Sequence, residues 1–395
     1  MSGPILCPSC STVTTPGAVE WGRTNGYRPR TDGAPICHTC GNLVHSVSYT
    51  EGRGPSVGVS PKEKDKYDQQ VLIRYKDGTR DPVKGISYKL IEHASKKALK
   101  EGETDEKGLT GRVTTEKPEA VDVIVLRLND ERQWVEKNIG SVRTDTRQDS
   151  IEAVEMYRGR IFFDFRYVNA VSDKPRSFIH AANTIRRKAQ SYVDKYRGDV
   201  WWAFEITTEC EMTSKWQVIY NLQQEADMEV QEGHILTHAS KAVWPPGAKS
   251  GLEFAPREEC NKDATLTMRE ILALPKLKWS SSSSLHLYGC RTGLPVYGWG
   301  DKTMGHAFFE GQDTVKTVTA LKGYGYFSYS ATTYQVISDD PNDKRDIYLL
   351  AYNRRKNVDL TNVGKIWIGM KLEHDNIEEL ESGDGSLIAP LILRR

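Results

Sequence analysis

Two residues in the second half of the chain have types that can break an amide bond. His238 ends the short apolar run Gly233-His-Ile-Leu-Thr-His238, and Cys290 ends the run Leu285-His-Leu-Tyr-Gly289-Cys290, 52 positions later. A thiolate is a strong nucleophile, and a nearby imidazole lowers the thiol pKa or protonates a leaving amine. A second set lies near the start, in Cys7-Pro-Ser-Cys10 and Cys37-His-Thr-Cys40. Four thiolates suit Zn²⁺ in a closed tetrahedron, which leaves no coordination position for substrate. Cys7, Cys10, Cys37 and Cys40 therefore read as a structural zinc ribbon, with His38 and His45 as bystanders. A redox-active pair would need a neighbouring βαβ pattern, which is lacking. Cys210 and Cys260 sit in polar surroundings without a nearby histidine and read as free thiols.

Other histidines are set aside by distance. On a strand, His286 lies about 13 Å from Cys290, and the same rise separates His234 from His238. His306, after a glycine-rich loop, is a reserve base.

The elements that must position His238 and Cys290 follow from periodicity. After about residue 156, strand-like runs at 160–166 (RIFFDFR), 199–206 (DVWWAFEI), 234–238 and 285–289 alternate with helical patterns at 175–196, 213–230 and 267–277. Five serines, 280–284, precede the cysteine strand. Such alternation predicts a mostly parallel sheet covered on both faces. Functional side chains gather at the carboxyl edge of such a sheet. If the two strands are neighbours, joined through 267–277, His238 and Cys290 emerge side by side. Further strand material is expected at 315–321, 323–330 and 346–370. Ahead of this α/β unit (156–395), residues 67–128 read as a small antiparallel β-sandwich, 129–155 as a connector, 51–66 as a Gly, Pro and charge-rich linker, and 1–50 as the ribbon.

The run Gly102-Glu-Thr-Asp105-Glu-Lys-Gly108-Leu-Thr110 resembles a hairpin of transthyretin-like β-sandwich modules, which are appended to cargo and spike components of bacterial type VI secretion. The α/β unit resembles the caspase-like cysteine peptidases, in which an apolar strand ends in histidine and one about 50 residues on ends in cysteine. The fold class implied is multidomain: zinc ribbon, β-sandwich and caspase-like α/β domain. By that resemblance Cys290 is the nucleophile and His238 the acid or base. The backbone amides of Ala239 and Cys290 form the oxyanion hole. The family usually has glycine where this chain has Ala239. Tyr326, Phe327, Ser328 and Tyr329 would line a peptide cleft by strand addition.

Composition narrows the partners. The chain has 395 residues, enough for two or three domains. Its net charge is +1, so no overall basic field favours nucleic acid. No apolar run spans a bilayer, and no signal peptide precedes the ribbon, which implies a cytoplasmic origin with delivery into a target cell by a secretion system. The expectation is a hydrolase of peptide or amide bonds acting as an antibacterial effector. Its partners would be a protein or peptide substrate, an immunity protein and a secretion-spike component. The alternatives are a non-catalytic docking adaptor and a cell-wall peptide amidase.

Overall fold

The computed structural model describes residues 67–144, 150–168, 177–240, 250–256, 264–296 and 298–330, parts of 335–372, residues 390–395, and four short strands before residue 67. Those strands, β1 (Ile5–Leu6), β2 (Val13–Thr14), β3 (Tyr27–Pro29) and β4 (Pro35–Cys37), form two antiparallel pairs. The side chains of Cys7, Cys10, Cys37 and Cys40 lie outside the described residues, as does the linker at 51–66.

Seven strands follow: β5 (Tyr67–Tyr75), β6 (Ser87–Glu92), β7 (Ala98–Glu103), β8 (Val113–Thr115), β9 (Ala120–Leu128), β10 (Trp134–Arg143) and β11 (Ile151–Met156). They make an antiparallel sheet of order β10-β9-β6-β7 and a second sheet, β11-β5-β8. Alternation along β5 points Val71, Ile73 and Tyr75 into a core shared with Leu90, Val121, Val123 and Val125. In the Gly102–Thr110 turn, the Asp105 carboxylate accepts from the Lys107 and Leu109 amides, both at 2.8 Å. Gly108 there adopts φ +73°, a conformation in which side chains are strained.

Two expectations need correction. The stretch read as a connector, 129–155, carries β10 and β11, which belong to these sheets. β10 is an edge strand with only Val142 buried, so it lacks the apolar alternation that marks a strand in sequence. β11 runs parallel to β5, so the sandwich is mixed and not wholly antiparallel.

The remaining chain builds β12 (Arg160–Tyr167), α1 (Ser177–Ala189), β13 (Val200–Ile206), α2 (Glu209–Glu225), β14 (Glu229–Leu236), β15 (His238–Ser240), β16 (Gly251–Glu253), β17 (Thr265–Thr267), α3 (Met268–Ala273), β18 (Trp279–Leu287), α4 (Met304–Gly311), β19 (Thr317–Ala320), β20 (Tyr324–Ser328), β21 (Tyr348–Tyr352), β22 (Gly364–Ile368), β23 (Lys371–Leu372) and β24 (Leu391–Arg394). A six-stranded sheet has the order β13-β12-β14-β18-β19-β24. Its first five strands are parallel, and β24 is antiparallel to β19. One face meets α1, through the Arg166 bond to Asn183 at 3.0 Å. The other meets α2 and α4, where Trp216 packs on Phe163, Phe165 and Phe308. Burial on both faces explains why these strands read as apolar runs. A separate antiparallel sheet has the order β20-β21-β22-β23.

Sequence boundaries shift for local reasons. α2 starts at Glu209 because Thr208 caps it, in a capping box with Glu211. α3 stops at Ala273, two residues before Pro275, and does not reach 277. The serines lie inside β18: its register against β14 slips between Trp279 and Ser284, leaving Ser281 and Ser282 in an exposed bulge. Among the described residues, no helix is long and apolar enough to cross a membrane.

Candidate functional site

β14 and β18 are parallel neighbours, and their last registered pair is Ile235 with Leu287. His238 and Cys290 each follow three residues later, so both leave the sheet at one level of its carboxyl edge. The Tyr288 amide donates to the Ile235 carbonyl at 2.9 Å, extending the ladder by one rung. Gly289 then passes between the residues flanking His238. A Cβ added to Gly289 would lie 2.8 Å from the Ala239 Cβ and 3.2 Å from the Thr237 carbonyl oxygen. Only glycine permits this approach of the two chains.

The turn after the cysteine is tightly specified. Arg291 has φ +59°, a left-handed conformation that costs a non-glycine residue energy. Its amide donates to Gly323 O at 2.8 Å, and the Gly293 amide to Leu321 O at 2.7 Å. The Thr292 hydroxyl donates to Gly289 O at 2.9 Å and accepts from the Leu321 amide at 3.1 Å. These bonds lash the cysteine turn to the segment entering β20. The Cys290 Sγ accepts from the Gly325 amide at 3.4 Å and lies 3.9 Å from the Gly325 carbonyl. Cys290 is half-buried and in no disulfide.

His238 opens β15, whose pairing with β16 fixes its backbone. Its imidazole stands nearly perpendicular to the rings of Tyr167 and Phe178, with ring centres 5.6 and 5.0 Å away. Phe178 also touches Phe327, at 5.6 Å. Among the sequence-derived cleft residues, Phe327 thus reaches the surroundings of His238. Ser328 and Tyr329 serve the fold: the Ser328 hydroxyl accepts from the Ser330 and Gln335 amides, and the Tyr329 hydroxyl donates to Asp343 at 2.8 Å. Tyr326 is half-buried on β20, which ends its sheet as an edge strand. Ala239 is buried in β15. His306 caps α4, its Nδ1 accepting from the Thr303 amide at 3.3 Å. Cys210, expected to be a free thiol, is disulfide-bonded. Its pairing is set by the fold and has no local signal in sequence.

Beneath this edge lies a polar row that sequence reasoning missed. The α1 face of the sheet carries Asp164 on β12, Glu232 and His234 on β14, His286 on β18 and Thr319 on β19. Each is buried. His234 Nε2 is 2.5 Å from a Glu232 oxygen, and the Tyr288 hydroxyl bonds His234 Nδ1 at 3.0 Å. The Tyr192 hydroxyl donates to the other Glu232 oxygen at 3.3 Å. His286 stacks on His234 with ring centres 5.0 Å apart and bonds Thr319 and Ser284. Asp164 accepts two bonds from Arg166 and one from the Trp201 indole. Burial pushes the Glu232 carboxyl up to about 7 and both imidazoles down to about 3, the charge of His234 further lowering His286. The available signal was polar residues at every second position of otherwise apolar runs, as in Phe163-Asp-Phe-Arg166. Among the described residues, no group of three or more His, Cys, Asp or Glu side chains could hold a metal ion.

No protein-family model matches this chain, and no curated protein matches it. Among solved structures, a 9R-lipoxygenase from Cyanothece PCC8801 aligns at 12% identity with a TM-score of 0.16, over 26% of this chain and 18% of the lipoxygenase.

Proposed function

We propose that this chain is a cysteine hydrolase of peptide or amide bonds, acting through Cys290 and His238. One observation carries the reading: neighbouring parallel strands deliver histidine and cysteine three residues beyond the same register pair, at the edge where such sheets place chemistry. The resemblance to caspase-like cysteine peptidases adds to it. In this reading the Cys290 thiolate attacks the carbonyl carbon, and the amides of Cys290 and Ala239 receive the oxyanion. His238 delivers a proton to the nitrogen as the C–N bond breaks. Water, deprotonated by His238, then attacks the thioester, releasing the acid and restoring the thiol. The β20 edge is the place where an extended substrate would add as a strand.

Delivery as a bacterial effector, with a zinc ribbon held by Cys7, Cys10, Cys37 and Cys40 and a transthyretin-like module ahead of the hydrolase, belongs to the same proposal. The disulfide at Cys210 supports a working life in an oxidising compartment. A docking adaptor is the second reading, favoured by the Ala239 methyl packed against Gly289 where the peptidase family has glycine.

Alkylation separates the two. In the full chain, Cys290 should react with iodoacetamide at pH 7 at least about tenfold faster than a free peptide cysteine, and His238→Ala should remove that excess. Full-chain expression in bacteria should be toxic, and Cys290→Ala should abolish toxicity while retaining the fold. Slow alkylation together with toxicity unchanged by Cys290→Ala sinks the hydrolase. Both assays keep the β-sandwich attached, because Leu128 belongs to the α/β core and Asp130 accepts from the Trp201 amide.

A further inference from the structure

A cleft of about 340 Å³ lies between the sandwich and the α/β unit. It touches Gly198 and Met228, which precede β13 and β14, so it faces the amino-terminal end of the sheet. β14 has eight residues, which puts this cleft about 25 Å from the carboxyl edge that bears His238 and Cys290. Tyr75, Ile86 and Met156 from the sandwich and Met228 from the other unit give it apolar walls, and Trp134 stands at its mouth.

Arg127 is the unusual lining residue. Its Nη1 donates to Arg197 O at 2.9 Å and its Nη2 to Tyr157 O. Gly198 lies flat against the guanidinium, where any Cβ would collide with Nη1. Among the described residues, no carboxylate forms an ion pair with Arg127. The acidic groups that act on it are both engaged elsewhere: the Tyr75 hydroxyl donates to Asp227, and Asp199 is clasped by Arg160 at 2.5 Å. Burial holds the guanidinium below its ordinary range, so the positive charge is unpaired in a costly position. The other charges at the cleft are accounted for. Asp227 takes Lys278 at 2.8 Å, Arg158 at 3.5 Å and the Tyr75 hydroxyl at 2.8 Å. Lys84 pairs with Glu106 at 3.3 Å. Glu103 and Glu225 are exposed at the mouth.

We propose that this cleft binds a small monocarboxylate with an apolar body, its carboxylate on Arg127 and its hydrocarbon against Tyr75, Ile86, Met156 and Met228. The volume lies within the range of ligand pockets and corresponds to about ten waters, the size of a phenylalkanoate. The two exposed glutamates at the mouth repel a dianion such as phosphate about twice as strongly as a single carboxylate. An occupant touching both units would strengthen their pairing and raise the thermal midpoint. This site is independent of the hydrolase reading.

The test uses the full chain carrying Cys290→Ala, so thiol chemistry plays no part. Calorimetric titration with 4-phenylbutyrate should give a Kd below about 1 mM, and the isosteric 4-phenylbutyramide should bind at least about tenfold more weakly. Arg127→Gln should erase the preference for the acid. Trp134→Ala, at a 43% exposed position that the fold tolerates, should weaken both ligands. The proposal is overturned if neither ligand binds at about 5 mM, if the amide matches the acid, or if a folded Arg127→Gln keeps the preference. Should Arg127→Gln fail to fold, an acid affinity untouched by Trp134→Ala overturns it instead.

Discussion

The buried histidines make this protein acid-sensitive in a way that one neighbouring carboxyl partly offsets. In the unfolded chain an imidazole titrates near 6.5 and a glutamate near 4.5, whereas in the fold His234 and His286 titrate near 3 and Glu232 near 7. The histidine values are depressed, so between about pH 6.5 and 3 the unfolded state binds protons that the native state refuses. Each histidine then removes about 1.4 kcal/mol of stability per pH unit as pH falls. Glu232 is raised, so the native state holds its proton below about pH 7 while the unfolded chain does so only below about 4.5. Its contribution grows by about 1.4 kcal/mol per unit as pH falls across that window, then saturates. From pH 6.5 to 4.5 the three groups together cost about one proton, or about 3 kcal/mol. Below 4.5 the slope doubles. By pH 3 the three groups have removed about 7 kcal/mol, so a fold at the low end of the usual range of about 5–15 kcal/mol is expected to unfold between about pH 3 and 4.5. The informative perturbation is Glu232→Gln, which removes the offset and keeps a polar partner for His234. Its loss from pH 6.5 to 4.5 should approach about 5 kcal/mol, with the steep slope beginning at 6.5. Urea unfolding followed by tryptophan fluorescence at half-unit steps of pH reads the slopes, and comparing variants cancels the other titrating groups. Equal slopes for wild type and Glu232→Gln, or a wild-type stability flat from pH 6.5 to 4.5, would refute the burial argument.

Three shorter predictions use the same measurement or a metal assay. Asp164→Ala leaves Arg166, 6% exposed, without its two charge-assisted bonds, and should cost about 3–5 kcal/mol in urea unfolding. Tyr288→Phe leaves the buried His234 Nδ1 without its hydroxyl and should cost about 1–3 kcal/mol, with no change in the m-value. If the amino-terminal cysteines hold zinc, elemental analysis should find about one ion per chain, and a Cys7→Ser, Cys10→Ser variant should lose it without moving the Cys290 alkylation rate.

The part of the fold legible in sequence was the part buried on both faces. Residues 160–166, 199–206 and 285–289 are rich in large apolar side chains on both faces, interrupted by such residues as Asp164, Glu205 and His286, because parallel strands meet helices above and below. What lay outside that rule was harder to read. β10 shows solvent most of its length, and its residues Trp134-Val-Glu-Lys-Asn carry no strand period. The serines of β18 resemble a linker until the bulge that exposes Ser281 and Ser282 is seen, and Ser283 is buried beside them. His238 and Cys290 could be singled out by residue type and strand position. Their common level could not, because register depends on contacts between segments about 50 residues apart.

The polar row bears on that register. A parallel pair buried on both faces has little apolar contrast to stop a slip, since either face accepts Ile, Leu or Phe. Here a one-residue shift of β18 against β14 would turn His286 away from His234 and Thr319, toward the face where Phe163 packs on Trp216 and Trp279. It would also leave buried polar atoms without partners, at about 1–3 kcal/mol each. Glu232, His234 and His286 therefore weaken the fold in acid and at the same time make one alignment of β14 with β18 better than its neighbours. That alignment is what brings Gly289 against Ala239 and sets His238 and Cys290 at one height. The bond from Tyr288 to His234, two residues before the cysteine, is where the polar row meets the edge of the sheet.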